Sequence, residues 1–263
     1  MRTGLAGAVL VVLAFGSRLA AVPLDLAEVQ ARGALRVIAA EGEQPEMFDF
    51  DPDPEKPGLE REMLEGFARL KRLKLEVVPV KAFTDRIPVL LRGDGDVVVG
   101  LVDTAERRRQ IEFTAEVLPV RHLAVTHKPA ASVKSVDELR RRKVGTIRGT
   151  TWARETLAAG VPEAQVEYFP DTEPMLVALA AGRVEAVVMT ISDFTLAAAR
   201  HPGLEPGVLL GEASRAAWGL RKQDAKLKAE LDAYIENLRN GASWNRLIVK
   251  YFGEQALRVL GRK

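Results

Sequence analysis

The sequence IPVLLRGDGDVVVG at residues 87–100 decides the fold class of this chain. Its first half completes a predicted helix over residues 83–91, and its last part, DVVVG, is a short apolar run typical of a buried strand. The same alternation precedes it, with strands predicted at residues 35–40 (LRVIAA) and 75–80 (LEVVPV) and a helix at residues 58–73. Strands that alternate with helices predict a mostly parallel sheet.

The second half of the chain repeats this pattern. Its predicted elements are helices at 135–142, 150–159 and 174–181 and strands at 144–147, 166–169 and 184–189. An apolar stretch at 118–127 connects the halves, and residues 215–220 lead into a long predicted helix at 224–240. Two such connections predict two crossings between lobes. We expect a leader at residues 1–21, lobe one at 22–124, lobe two at 128–214, and a return to lobe one at 219–263.

The composition of the chain argues against several classes of function. The chain has 263 residues, 47% of them hydrophobic and 28% charged, which is typical of a folded globular protein. Lys and Arg number 38 against 36 Asp and Glu, and without Arg2 and Arg18 of the leader both totals are 36, which leaves no basic footprint for nucleic acid. There is no cysteine, and His122, His127 and His201 lack metal-ligand spacing, so we expect neither a metal nor a cofactor.

The first 21 residues resemble a secretory leader in their charge and hydrophobicity. Arg2 supplies a positive charge, and GLAGAVLVVLAFG at residues 4–16 has the length of a signal-peptide apolar region, too short to span a bilayer. Small residues at Ala20 and Ala21 suit cleavage after Ala21. We therefore expect export to the periplasm, and an uncleaved N-terminal anchor is the alternative.

Short motifs recur in a fixed order along the mature chain. They are GALRV at 33–37, GLEREML at 58–64, IPVLLRGDGDVV at 87–98, TAER at 104–107, IEFT at 111–114, VGTIRGTT at 144–151, AGRVEAVV at 181–188 and WGLRK at 218–222. In this order and spacing they resemble the family 3 extracellular solute-binding proteins, which serve polar amino-acid ABC importers. The resemblance covers about residues 31–255. It implies an α/β protein with the type II periplasmic binding fold: two lobes, each a mostly parallel sheet flanked by helices, joined by two hinge crossings.

The resemblance also implies where a carboxylate binds. Arg107, the Arg of TAER, is expected to hold the carboxylate with a planar fork of donors, and Thr104 opens the same motif. Arg108 and Arg109 are expected to face solvent. Considered without the resemblance, three consecutive arginines favour a solvated helix face.

Two further segments are expected to line the same site. Thr150 and Thr151 lie between a predicted strand and a predicted helix, where free N–H groups and the helix dipole favour an anion. An ordinary helix cap is the alternative for this pair. Phe83 takes the position of an aromatic residue that covers the ligand in relatives, although an isolated Phe at a helix start is more often part of a core.

Two positions depart from the family pattern. Thr190 stands where amino-acid-binding relatives carry the Asp that pairs with the ligand's α-ammonium group, and Val102 stands where they carry a Ser. A neutral hydroxyl cannot supply that charge. One of three acids, Glu43, Asp103 or Asp193, could supply the missing counter-charge, and the alternative is that all three are surface acids.

These features favour a periplasmic binding protein without catalysis. Its lobes are expected to close, by hinges near residues 124–127 and 215–218, over a small carboxylate or amino-acid-like solute and to present it to an ABC transporter permease. One alternative is an enzyme resembling cyclohexadienyl dehydratase, with Asp193 or Glu43 as general acid. Another is an accessory or sensor protein. We expect a monomer and, because the chain ends at Lys263 soon after the last family-like helix, no fused domain.

Overall fold

The computed structural model describes residues 25–260, so the predicted leader at residues 1–21 lies outside the described residues. Helices and strands alternate along most of the chain. The strands are β1 (Ala34–Ala40), β2 (Lys74–Val80), β3 (Val97–Val102), β4 (Glu112–Phe113), β5 (Leu118–His127), β6 (Val144–Ile147), β7 (Val166–Phe169), β8 (Ala186–Thr190) and β9 (Leu204–Leu220). The helices are α1 (Leu26–Arg32), α2 (Leu59–Leu70), α3 (Arg86–Arg92), α4 (Ala105–Arg108), α5 (Val136–Leu139), α6 (Thr151–Ala158), α7 (Thr172–Ala180), α8 (Ile191–Arg200), α9 (Ala225–Asn240), α10 (Ala242–Phe252) and α11 (Leu257–Leu260).

The sheet has the order β2-β1-β3-β9-β5-β8-β6-β7, and β4 pairs with β9 off this path. Strand β1 pairs in parallel with β2 and β3, and β6 pairs in parallel with β7 and β8. We call the first group lobe one and the second group lobe two. Strand β9 pairs antiparallel with β3 of lobe one, β5 pairs antiparallel with β8 of lobe two, and β5 and β9 pair antiparallel with each other, which confirms the predicted α/β class and its two crossings.

The strand pairing shows where each crossing strand passes from one lobe to the other. In β5, residues His122 to Val125 pair with β8 of lobe two, whereas Leu118 to Val120 pair only with β9. The register of the ladder between β5 and β9 is irregular between Val120 and His122. On β5 the partners therefore change a few residues before the predicted hinge at 124–127. On β9, pairing with β3 of lobe one begins at Ala216, within the predicted 215–218.

Most predicted elements agree with the structure to within three residues at each end. The larger differences include the following three. The helix predicted at 83–91 is a 3₁₀ turn over Phe83–Asp85 followed by α3, so Pro88 lies in the first turn of α3, where its missing N–H costs no helical bond. Strand β9 begins at Leu204, well before the predicted 215, because its first half, which contains Pro206 and Gly207, is supported by the ladder with β5. Helix α8 was not predicted, although the Thr190 side chain caps it.

Each lobe has its own hydrophobic core. Trp218 and Trp244 are buried in lobe one, and Met175 and Val187 are buried in lobe two. Leu196 of α8 packs into the core of lobe one, so this helix contacts both lobes. Within residues 25–260, none of the helices has the length and apolar character needed to cross a membrane.

Candidate functional site

A cavity of about 80 Å³ lies between the two lobes. It is lined by residues at or just after the carboxyl ends of β1, β3, β6 and β8 and by the first turns of α6 and α8. In open α/β sheets ligands bind in the crevice outside the carboxyl ends of the strands. The topology therefore identifies this cavity as the candidate site.

The cavity brings together most of the residues predicted from the sequence. Those in its lining are Glu43, Phe83, Val102, Arg107, Thr150, Thr151, Thr190 and Asp193. Thr104 lies beside the cavity instead: its hydroxyl accepts a hydrogen bond from the Arg107 N–H at 3.2 Å and caps α4. Asp103 is not in the lining, because Arg108 and Arg215 pair with its carboxylate. Ligand contact stays a prediction for every one of these side chains.

Arg107 crosses the space between the lobes. Its Nη1 donates to the Val102 carbonyl of lobe one and its Nη2 to the Gly149 carbonyl of lobe two, each at 2.8 Å. Burial, together with the charges of Arg86 and Arg154, lowers the pKa of Arg107 to about 9, so it stays protonated at neutral pH. A permanent cation therefore lies at the point where the lobes meet.

The first turn of α6 completes this part of the site. The Thr150 hydroxyl accepts from the Ala153 N–H at 3.4 Å and donates to the Ile147 carbonyl at 2.6 Å. The first N–H groups of a helix have no intrahelical partner and carry partial positive charge. Gly149 has a φ of +75°, and a Cβ there would lie 2.6 Å from Thr84 Cγ2 of lobe one, so glycine permits the lobes to approach this closely. Arg107 and α6 together suit an anion.

Asp193 lies next to Thr190, the position where the charge was expected to be missing. The Thr190 hydroxyl donates to Asp193 Oδ2 at 2.5 Å, and Gln44 of lobe one donates to Oδ1 at 2.7 Å. Burial raises the pKa of Asp193, against the effect of these two hydrogen bonds. A carboxyl group is therefore present one turn into α8, within a hydrogen bond of the neutral residue.

A second group of charges surrounds Gly100. Arg86 donates from Nη1 to Glu43 Oε1 at 2.7 Å and to the Gly100 carbonyl at 2.9 Å. Glu60 Oε2 accepts from the Gly100 N–H at 2.8 Å, and Glu60 Oε1 has no hydrogen-bond partner among residues 25–260. Gly100 has a φ of +65°, and a Cβ there would overlap the Glu43 carboxyl. Glycine is therefore required where the two acids and the guanidinium meet.

Burial dominates the protonation of these acids. It raises the pKa of Glu43 to about 7, although the Arg86 charge acts in the opposite direction. It also raises the pKa of Glu60 to about 8, and the nearby Glu43 carboxylate adds to the increase. Three carboxyl groups, with Asp193 the third, thus share the cavity with the guanidiniums of Arg86 and Arg107.

Three further lining residues, Gln44, Glu60 and Arg86, were not predicted from the sequence. For two of them a signal was present, because each occupies the apolar face of its helix. Glu60 precedes Met63 by three residues and shares that buried face, and Arg86 is related in the same way to Val89. A charged residue at a buried helical position is rare without a partner. Gln44 lies in an irregular loop, so no periodicity marks it.

Comparison with known proteins defines the family. The profile of the bacterial extracellular solute-binding proteins, family 3, matches residues 35–254. The chain belongs to this family. Over 238 residues it is 24% identical to the membrane-bound lytic murein transglycosylase F of Ectopseudomonas mendocina (strain ymp), a match that covers 88% of this chain and 48% of that protein. The chain thus spans about half the length of the curated relatives it matches.

Two solved structures share the fold. One is an amino acid ABC transporter substrate-binding protein from Streptococcus pneumoniae bound to L-arginine, with a TM-score of 0.76, 22% identity, and coverage of 86% of this chain and 96% of that one. The other is an ancestral amino acid-binding protein described as a precursor of cyclohexadienyl dehydratase, with a TM-score of 0.74, 22% identity, and coverage of 86% and 98%. At these identities the likeness establishes the fold alone.

The buried acids predict how stability depends on pH. In the folded protein Glu43 and Glu60 keep their protons up to about pH 7 and 8, whereas their ordinary pKa is 4.5. The unfolded chain therefore binds fewer protons above pH 4.5, and the free energy of unfolding falls as pH rises towards 8. His122, with a pKa lowered by burial to about 4 from 6.5, acts in the opposite direction below pH 6.5. We expect a clear fall between pH 6.5 and 8.

Urea denaturation at three pH values across this window measures the fall. Glu60→Gln removes one of the two titrating groups, so its profile should be flatter than that of the wild type. Glu65→Gln, which alters a half-buried partner of Arg61 on the same helix, should keep the wild-type slope. A wild-type profile without a fall from pH 6.5 to 8 contradicts the raised pKa values.

Proposed function

We propose that this protein is a periplasmic solute-binding protein that closes over a small carboxylate or amino-acid-like solute and delivers it to an ABC importer. The observation that carries the proposal is Arg107, which reaches across the interlobe cavity beside the first turn of α6. A guanidinium forms paired hydrogen bonds to a carboxylate, and the helix N-terminus adds further donors. We therefore assign the ligand's carboxylate to Arg107, Thr151 and the first N–H groups of α6, with Thr150 as the cap of that helix.

The other charges of the cavity support a ligand that also carries an amine. Glu43 and Asp193 line the same space, and burial favours the neutral form of each, in Glu43 despite its ion pair with Arg86. A ligand ammonium group would add a positive charge that favours the ionised forms. Asp193 lies next to Thr190 and can take the role of the Asp that the family pattern lacks there. Phe83, half-buried between the lobes, would cover the ligand.

Contacts between the lobes support closure as the mechanism. Arg200 of α8 pairs with Glu46 of the first lobe and donates from Nη2 to Gln44 Oε1 at 3.1 Å. Gln44 in turn donates to Asp193. These bonds join side chains of different lobes, so they break when the lobes separate. Arg200 is thereby connected, through Gln44, to Asp193, the acid that we assign to the ligand's amine.

Export and delivery are the less direct parts of the proposal. They rest on the leader-like sequence at residues 1–21 and on the extracellular family to which the chain belongs. A closed pair of lobes presents a different surface from an open pair, which allows a permease to distinguish the loaded protein. We propose that the protein works as a monomer with its permease as partner.

A ligand screen tests the binding function. We expect one or more amino acids or small carboxylates to raise the thermal midpoint of residues 22–263 by several degrees, since a ligand at 100 times its dissociation constant adds about 2.7 kcal/mol. Arg107→Ala should abolish that increase because it removes the carboxylate's charged partner. Arg109→Ala changes an exposed arginine of the same run and should leave it intact. No response to any amino acid, amino-free carboxylate or polyamine would contradict the proposal.

Small-angle scattering tests closure. Arg200→Ala loses the contacts to Glu46 and Gln44, so the ligand-free variant should have a larger radius of gyration than the wild type. Saturating ligand should return it to the wild-type value. Arg183→Ala breaks an ion pair with Glu167 inside lobe two and should not change the radius. Equal radii for Arg200→Ala and the wild type without ligand would argue against an interlobe latch.

A second candidate function is an enzyme on the same scaffold. The observation that favours it is Glu43, a cavity carboxyl with a pKa raised by burial to about 7. A carboxyl that is protonated near neutral pH can act as a general acid, and perturbed pKa values cluster at active sites. The likeness to a precursor of cyclohexadienyl dehydratase suggests which substrates to try.

Turnover of prephenate or arogenate decides this candidate. If the protein is a dehydratase, the wild type converts one of these acids and Glu43→Gln or Asp193→Asn abolishes the conversion. A wild type that binds but does not convert them leaves the binding function. If neither binding nor conversion occurs, an accessory or sensor role with a protein partner becomes the leading alternative.

A further inference from the structure

His122 of β5 lies directly behind the site. It is 1% exposed, and its strand position is paired with Thr190 of β8 and Leu210 of β9. Its Nε2 is 2.7 Å from the hydroxyl oxygen of Thr151, which is itself 4% exposed and lines the interlobe cavity. A buried imidazole therefore contacts the hydroxyl of a residue that lines the cavity.

The other ring nitrogen identifies the tautomer. Nδ1 of His122 is buried and has no hydrogen-bond partner among the residues that the structure describes. Burial lowers the pKa of the ring to about 4, with Glu155 opposing this effect and Arg154 and Arg121 adding to it, so the ring is neutral at pH 7 and carries one N–H. Orphaned buried N–H groups are rarer than under-satisfied acceptors. The proton therefore belongs on Nε2.

This tautomer fixes the direction of the hydrogen bond. Nε2–H donates to the Thr151 oxygen, so the hydroxyl proton of Thr151 must point elsewhere. A threonine in a helix commonly donates to the carbonyl four residues earlier, but here the Ile147 carbonyl already accepts from the Thr150 hydroxyl at 2.6 Å and from the Thr150 N–H at 3.4 Å, which occupies both of its lone pairs. Thr151 Oγ1 makes no other hydrogen bond within residues 25–260. Its proton is free for the cavity.

We propose that His122 is a positioning residue that holds the Thr151 hydroxyl as a hydrogen-bond donor to the ligand's carboxylate. The proposal rests on the binding function proposed above. With Arg107 and the first N–H groups of α6, this part of the cavity then offers donors to the ligand. An ammonium group, which has no acceptor, cannot bind there. His122 thereby sets the orientation of a zwitterionic ligand, with its amine towards Asp193.

The tautomer can be measured without any ligand. In protein labelled with ¹⁵N-histidine, two-bond ¹H–¹⁵N correlation spectra distinguish protonated from unprotonated ring nitrogens, and a His122→Gln sample assigns the signals. We expect a protonated Nε2 and an unprotonated Nδ1 for His122, unchanged from pH 5.5 to 8. A proton on Nδ1, or titration of the ring near pH 6.5, overturns the proposal whether or not the ligand screen succeeds.

A double-mutant cycle tests the route of the effect, with L-arginine as the probe and calorimetry as the measurement. We expect His122→Phe and Thr151→Val each to weaken binding by about 3- to 10-fold, in line with the loss of one hydrogen bond. The double variant should bind no more weakly than Thr151→Val alone, because His122 acts through that hydroxyl. His122→Gln retains a donor and should restore most of the affinity.

The controls separate the two proposals. His127→Phe alters a histidine on the same strand whose Nδ1 bonds to the Lys128 carbonyl, remote from the cavity, and should bind L-arginine as the wild type does. Additive losses in the double variant overturn the positioning role, because His122 would then act independently of Thr151. Wild-type protein that binds neither L-arginine nor any member of the screen contradicts the binding function instead, and the tautomer still decides the state of His122.

Discussion

Strands β5 and β9 pair with each other from Leu118 to His127, and within the described residues this ladder joins the two groups of parallel strands. Because the strands are antiparallel and cross together, they hold the carboxyl ends of β1 and β3 opposite those of β6 and β8. The cavity, the helix N-termini that face it and the irregular pairing between Val120 and His122 all follow from that geometry. His122 lies in this ladder and contacts Thr151, so the crossing also supports the site directly.

The cavity concentrates charges that water would otherwise solvate. Removing a carboxylate from water is costly unless a partner compensates, and here the compensation is incomplete. Arg86 pairs with Glu43, while Glu60 relies on one backbone N–H and leaves an oxygen without a partner among residues 25–260. The protonated forms of Glu43 and Glu60 are therefore favoured. A cationic ligand group would restore their charge, which couples binding to the release of protons.

The same chemistry connects the two candidate functions. A carboxyl group whose pKa is raised towards 7 by burial can lose its proton and bind a ligand's ammonium group, or it can donate that proton to a reacting substrate. The two proposals differ in the ligand and its placement, since Glu43 and Asp193 would take part in either case. Arg107 and Thr151 would hold a carboxylate in both functions. In our proposal His122 makes the Thr151 hydroxyl a hydrogen-bond donor, and this donor sets the orientation of the bound ligand.

The sequence by itself determined the α/β class, the two crossings, the family and eight residues of the cavity lining, because apolar periodicity and motif spacing are local signals. It also indicated Arg107, whose motif is contiguous, as a site residue, and this residue lines the cavity. Only the tertiary structure decided which acids line the cavity and which are paired with arginines elsewhere. Asp103 is neutralised by Arg108 and Arg215, whereas Glu60 and Arg86 meet at Gly100 from separate elements. The physical reason is that the pairing and desolvation of a charge depend on neighbours distant in sequence, and local pattern does not encode them.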